Sequence, residues 1–147
     1  MLDAESNSVA VIVKHMTGNM RSRFTDFLSS DGEKPDRNRD QEFVVSGDVT
    51  RAAILETWEK FWQLVLDTVK SLSADDLARE VTIRNEPHTV LQAINRQIAH
   101  YSYHIGQITY LAKHFAAESG KWTALTVPRN KSSEFNARVA SGQASQR

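Results

Sequence analysis

Apolar residues recur at three- and four-residue steps along three stretches of the chain, the spacing that lays a stripe on one side of a helix. In residues 8–28 the stripe is Val9, Ile12, Val13, Met16, Met20, Phe24 and Phe27, and Ser6 or Ser8 is placed to cap the first turn. In residues 49–71 it is Ile54, Leu55, Trp58, Phe61, Trp62, Val65, Leu66 and Val69, with Asp48 or Thr50 as cap. The longest stripe, in residues 90–117, comprises Leu91, Ile94, Ile98, Tyr101, Ile105, Ile108, Ala112 and Phe115. Thr89-Val90-Leu91-Gln92 has the capping-box pattern at its start, and Gly120 suits its exit.

Shorter segments separate these helices. Residues 29–42 form a polar break in which Asp31, Gly32, Pro35 and the run Asp36-Arg37-Asn38-Arg39-Asp40 offer nothing to bury. Ser73-Ala74-Asp75-Asp76 opens a short helical turn, with Asp where a capping box usually has Glu or Gln. Val81-Thr82-Ile83 alternates briefly before a turn at Arg84-Asn85-Glu86-Pro87. Residues 122–128 read as extended chain, 132–139 as a last helical turn and 140–147 as a fraying tail. With no internal repeat and no strand-rich region, the expected class is all-α: one helical bundle domain over residues 1–139, followed by the tail.

Composition narrows the function classes. The 147 residues carry 18 Lys plus Arg against 18 Asp plus Glu, a net charge of zero, which removes the usual electrostatic signature of a nucleic-acid or anionic-membrane binder. No apolar run approaches the roughly 18 residues of a membrane helix, and the acidic start Met1-Leu2-Asp3-Ala4-Glu5 is no secretory signal. A cytoplasmic address is expected. Cysteine is absent, so any metal must be held by His, Asp or Glu, and any thiol must arrive with a substrate.

Of the five histidines, His100 and His104 are the informative pair. Four residues advance a helix by just over one turn, so both imidazoles project from one side, about 40° apart around the axis. That spacing suits two ligands to one ion, as it also suits a solvated face or a hydrogen-bonded core pair. Both rings fall at the margin of the apolar stripe, where a bundle helix meets its neighbours. His15 does the same on the first helix, beside Ile12, Met16 and Asn19, either as a third ligand or as a core histidine bonded to a carbonyl. Three histidines from two helices would leave open coordination positions, as catalytic sites do. His88 reads as a loop contact, His114 as a last-turn ring suited to the helix dipole, and Trp58 and Trp62 as core. There is no Glu-x-x-His, no His-Glu-x-x-His and no Gly-rich phosphate loop, so the di-iron, zinc-protease and nucleotide-binding patterns fail.

Lys14-His15-Met16-Thr17-Gly18-Asn19-Met20 on an early helix and His100-Tyr101-Ser102-Tyr103-His104-Ile105-Gly106-Gln107-Ile108 on a late one resemble the DinB/YfiT-like superfamily. Residues 31–40, Arg84-Asn85-Glu86-Pro87-His88-Thr89-Val90, and Pro128-Arg129-Asn130-Lys131 followed by Phe135-Asn136 resemble, more narrowly, a bacterial branch of it of unknown function. The resemblance runs from Asn7 to Asn136. It implies a DinB-like helical bundle, normally of four helices and commonly a homodimer, holding a divalent metal ion (Zn, Ni or Fe) through His15, His100 and His104. Characterised members include thiol S-transferases and a thiol-dependent isomerase that use low-molecular-weight thiols. Such relatives carry a helix ahead of the segment matching Asn7, whereas six residues precede it here. Three long helices are therefore expected, with a truncated start.

The function expected on these grounds is metal-dependent transfer of a thiol to a small electrophile. An ion on three neutral imidazoles lowers the pKa of a thiol or water that joins it. The same site would hydrolyse if water were the nucleophile. A non-catalytic dimerisation or interaction module with a structural or vestigial metal site is the alternative from another class. Asn19 and Gln107 lie where they could orient ligands. Arg96 and Arg129 are candidate substrate contacts, and the arginines of residues 36–40 form either a solvated ion-pair loop or a lid over an anionic cosubstrate. No side chain is assigned as general base.

Overall fold

Helix α1 (Val9–Phe24) starts where the Ser8 hydroxyl accepts the Val11 N–H at 3.2 Å, and ends at Thr25. The structure is a computed structural model that describes residues 5–44, 47, 49–117, 119–122 and 124–145. Two compact units run consecutively along the chain, residues 1–109 and residues 110–147.

In the first unit, α1 buries Ile12, Met16, Met20 and Phe24 and packs on α2 (Arg51–Ser71). The Thr50 hydroxyl caps α2 by accepting the Ala53 N–H at 3.2 Å; Asp48, the other expected cap, lies outside the described residues. A one-turn 3-10 helix, Asp75–Ala78, follows. Its box closes in both directions despite the shorter acid: Ser73 Oγ accepts the Asp76 N–H at 3.2 Å, and Asp76 accepts the Ser73 N–H at 2.9 Å.

The alternation at Val81-Thr82-Ile83 belongs to a two-stranded antiparallel hairpin, β1 (Glu80–Ile83) and β2 (Glu86–Thr89), paired from Glu80↔Thr89 to Ile83↔Glu86. Arg84 and Asn85 at its tip have φ of 57° and 61°, as a tight hairpin turn requires. β2 runs directly into α3 (Val90–Ala117), where Thr89 and Gln92 close their capping box with bonds of 3.1 and 2.8 Å. Phe27, Val81, Ile83, Val90 and Ala93 form a small core beneath the hairpin.

Two expectations need correction. The first helix stops at Phe24, not Leu28, yet Phe27 remains buried, because Asp26 takes a left-handed conformation (φ 49°) that redirects the chain into the core. The polar break after it is not idle. Its Arg37 side chain is 3% exposed and that of Glu42 8%, and both close over α1. Three anchors hold this loop: Ser22 donates to Gly32 O at 2.7 Å, Arg23 bonds Gly32 O and Glu33, and Arg21 bonds Asp36 at 2.7 Å. Asp31 ties it to the hairpin by accepting the N–H groups of Arg84 and Asn85 at 2.9 and 2.8 Å, besides that of Glu33. Polar residues can be buried here because each charge finds an opposite one.

The second unit contains the end of α3 and a nine-residue helix α4 (Ser132–Ala140), with Gly142 at φ 74° beyond its last turn. The chain is thus mainly helical, with four helices and one small hairpin among the described residues. No helix among them is long and apolar enough to cross a membrane.

Candidate metal centre

His15 lies on α1 and His100 and His104 lie one turn apart on α3, and the structure brings all three together. His15 Nε2 is 3.2 Å from His100 Nε2, which is 3.1 Å from His104 Nε2. One ligand atom from each ring lies within 4.8 Å of the other two. The rings meet edge-to-face, at interplanar angles of 73–80°. His15 is buried, His104 lies at the margin of burial and His100 is partly exposed.

The outer ring nitrogens fix the tautomers. His15 Nδ1 sits 2.8 Å from Glu42 Oε2. An ionised carboxylate only accepts, so His15 must donate there, leaving Nε2 with a lone pair in the neutral ring. His104 Nδ1 likewise donates to Gln107 Oε1 at 2.8 Å, the amide orientation being assigned from this bond. Two lone pairs thus point at His100 Nε2, which can offer at most one proton in its neutral form.

Charge reinforces the arrangement. Burial, with the two neighbouring imidazoles, lowers the His100 pKa to about 4. Burial also lowers that of His104, against the opposing bond to Gln107. Burial alone would raise the Glu42 carboxyl, but the bonds from His15 and Arg37 outweigh it and hold it below the usual range. Arg37 grips Glu42 through Nε and an η nitrogen at 2.8 and 3.0 Å, a two-pronged contact that fixes the carboxylate. Phe43 then packs on the His15 ring, centroids 5.0 Å apart.

This donor set fits a divalent ion. Two nitrogens each at ~2.05 Å from a tetrahedral ion stand about 3.3 Å apart, close to the separations on either side of His100. Burial favours the neutral form of His100 and His104, as ligation requires, and two outer nitrogens are engaged by oriented partners.

The remaining sequence-selected residues separate. Gln107 touches His104. Asn19 hydrogen-bonds Tyr101: its Oδ1 accepts the Tyr101 hydroxyl at 3.1 Å, and its side chain lines a cavity of about 240 Å³ that opens beside His15 and His100. Arg96 lines the same cavity. Arg129 is exposed in the second unit, ahead of α4. His88 bonds the carbonyl of Glu86, His114 stacks edge-on with Phe115, and Trp58 meets Trp62 at 5.7 Å.

Sequence reasoning missed Glu42 and placed Arg37 only in an ion-pair loop or lid, and two signals pointed to their role. Phe43 is a lone aromatic residue ending a polar stretch, and an aromatic there needs somewhere to pack. Gly18 is a second sign: a Cβ at that position would lie 2.8 Å from Glu42 Cδ and nearer still to Oε1, so only glycine leaves room for the carboxylate.

The family model described as "Protein of unknown function (DUF1572)" matches residues 1–131. Comparison with curated proteins and with solved structures gave no match in either.

Proposed function

The chain belongs to the family described as Protein of unknown function (DUF1572), and from that premise we propose that it is a divalent-metal-dependent enzyme of the DinB-like kind that joins a low-molecular-weight thiol to a small electrophile. The observation that carries this reading is the convergence of three Nε2 atoms from two helices, with the Nδ1 atoms of His15 and His104 engaged by Glu42 and Gln107. A divalent ion held there supplies Lewis acidity, bringing the pKa of a thiol or water toward neutrality.

The chain's own residues set the rest. Glu42, clamped by Arg37, keeps the His15 proton on Nδ1 and its lone pair on the metal side. Gln107 does the same for His104. The cavity beside His15 and His100 leaves one side of the triad reachable, which favours a reactive over a closed structural site. Tyr101, the residue after His100, donates to Asn19, one turn from His15, and links α3 to α1 beside the histidines.

Elemental analysis of untagged protein tests the reading. Near one equivalent of a divalent metal is expected, reduced at least tenfold in His15→Ala, His100→Ala and His104→Ala. Metal retained in all three variants would overturn it. Turnover of a small electrophile with and without cellular thiol separates transfer from hydrolysis: thiol-dependent loss of the electrophile supports the transferase, and loss at the same rate without thiol replaces it with a hydrolase. Metal binding with neither reaction leaves the interaction module as the better account.

A further inference from the structure

The cavity beside the triad is walled by five arginines. Arg23 comes from α1, Arg37 and Arg39 from the loop after it, Arg84 from the hairpin tip and Arg96 from α3. Two carboxylates face this set. Glu42 is taken up by Arg37 and His15. Glu33 offers one oxygen, Oε2, to Arg23, Arg37 and Arg84 at 3.0, 3.3 and 3.2 Å. Arg39 and Arg96 have no carboxylate partner among the described residues; Arg39 rests over the Phe43 ring and both are exposed at the cavity. Five cations thus meet two anions around one hollow, in a chain whose total charge is zero.

Crowding guanidinium groups round a partly enclosed space is unfavourable unless an anion joins them. Two residues of the wall also carry a buried atom without a hydrogen-bond partner. Arg23 Nε is buried without a hydrogen-bond acceptor, on a residue only 5% exposed that lines the cavity. Gln97 Oε1 is likewise buried without a donor, on a residue that lines this cavity and a smaller one beside Phe27 and Ile83. The volume, about 240 Å³, lies just below the roughly 300–1,000 Å³ of pockets for drug-sized ligands and suits a small molecule.

We propose that this cavity binds a small organic molecule through a doubly charged oxyanion head, a dicarboxylate or a phosphoryl group, gripped by Arg39, Arg84 and Arg96 against the buried Arg23–Arg37 wall, with the ligand's remaining atoms directed to the His15 and His100 side. Planar guanidinium forks match both kinds of head. α1 presents His15, Asn19 and Arg23 at successive turns, and α3 presents Arg96 one turn before His100, so head and reacting end are one or two helical turns apart, about 5–11 Å. Calling this ligand the substrate rests on the metal-enzyme reading; its binding does not.

Calorimetric titration with inorganic phosphate and with malonate, at constant ionic strength, tests the proposal on wild type and on Arg39→Gln/Arg96→Gln, each with metal and after chelation. Both changed residues are exposed, and circular dichroism checks that the variant stays folded. Saturable binding of at least one dianion is expected, surviving chelation and weakened at least tenfold in the double variant. A preference for phosphate assigns a phosphoryl head, and a preference for malonate a carboxylate head. Absence of saturable binding by wild type overturns the proposal. So does binding that vanishes on chelation and ignores the arginine substitutions, because the anion then sits on the metal alone. Metal content of the same samples separates the two readings: anion bound without metal ever loading sinks only the metal reading, and metal loaded without anion binding sinks only this one.

Discussion

Glu42 Oε2 lies 2.8 Å from His15 Nδ1, a contact between a carboxylate on the one-turn 3-10 helix Asp40–Phe43 and an imidazole of α1 27 residues earlier that decides which nitrogen of His15 faces the other two histidines. Arg37 holds the same carboxylate through two bonds, so Glu42 has little freedom to swing away. Glu42→Gln keeps the shape and removes the charge. We expect metal affinity to fall about 10- to 100-fold with the protein still folded, read by competition with a chromogenic chelator. Unchanged affinity would mean that His15 is oriented by packing against Phe43 instead.

Gly18 gives a second test of the same contact. In the middle of α1, Gly→Ala ordinarily stabilises a helix by about 1 kcal/mol. Here the added Cβ would meet the Glu42 carboxylate, which is clamped and cannot give cheaply. Gly18→Ala is expected to lower the melting temperature and weaken metal binding, while Gly18→Ala/Glu42→Ala should melt higher than Glu42→Ala alone. A single Gly18→Ala that melts higher than wild type and binds metal normally would show that Glu42 has room to move.

The three long helices were readable because each must bury a continuous stripe, and burial imposes the helical period on the sequence directly. The His100–His104 pair was readable for the same reason: one turn of α3 sets the spacing. His15 could be selected by its place on its own stripe, but its meeting with α3 is a matter of packing between helices, which no local pattern encodes. Glu42 and Arg37 were hidden more deeply. A charged run looks solvated until its partners are known, and theirs, His15 and Glu33, lie on other segments or pair only in the folded loop. The arginine cavity was legible only in part: the arginines of residues 36–40 and Arg96 stood out segment by segment, but Arg23 and Arg84 join them only in the fold, and summed charge is blind to position. The hairpin, with four residues per strand, is too short for alternation to stand out, and only Asp31 binding both N–H groups at its tip shows why the turn is held.

Asp31 is therefore expected to matter for stability more than its place in a polar loop suggests. Its carboxylate accepts three backbone N–H groups, from Glu33, Arg84 and Asn85, at 2.6–2.9 Å. Partial burial opposes ionisation, but these bonds win and hold its pKa far below the usual carboxylate range. Asp31→Ala should cost about 1.5–3 kcal/mol in urea denaturation, the range for hydrogen bonds to a charged group, and should speed hydrogen exchange at Arg84 and Asn85. A cost below about 0.5 kcal/mol, the scale of an ordinary surface substitution, would place the anchoring of the loop with Ser22 and Arg23 instead.

Acid should destabilise the metal-free protein in two separate windows. The His100 pKa is lowered from 6.5 to about 4 by burial and by the neighbouring imidazoles, so the folded state refuses a proton that the unfolded chain accepts. Stability then rises with pH wherever the unfolded state binds more protons. It is unaffected by His100 above pH 6.5 and falls as the pH drops from there toward 4, at no more than about 1.4 kcal/mol per pH unit for one proton. Asp31, Glu33 and Glu42 are held below their ordinary values, with burial opposing and hydrogen bonds and arginines prevailing. Their contribution is intact above the unfolded carboxylate range and is lost only as the pH falls below it. Urea midpoints measured on chelated protein between pH 8 and 3 should therefore begin to decline near pH 6.5, and His100→Gln should make the upper part of that decline shallower, leaving the share of His104, whose pKa burial also lowers, and the carboxylate part below it in place. A wild-type profile that stays level down to pH 4.5 would mean that the folded protein takes up protons at the triad as readily as the unfolded chain does.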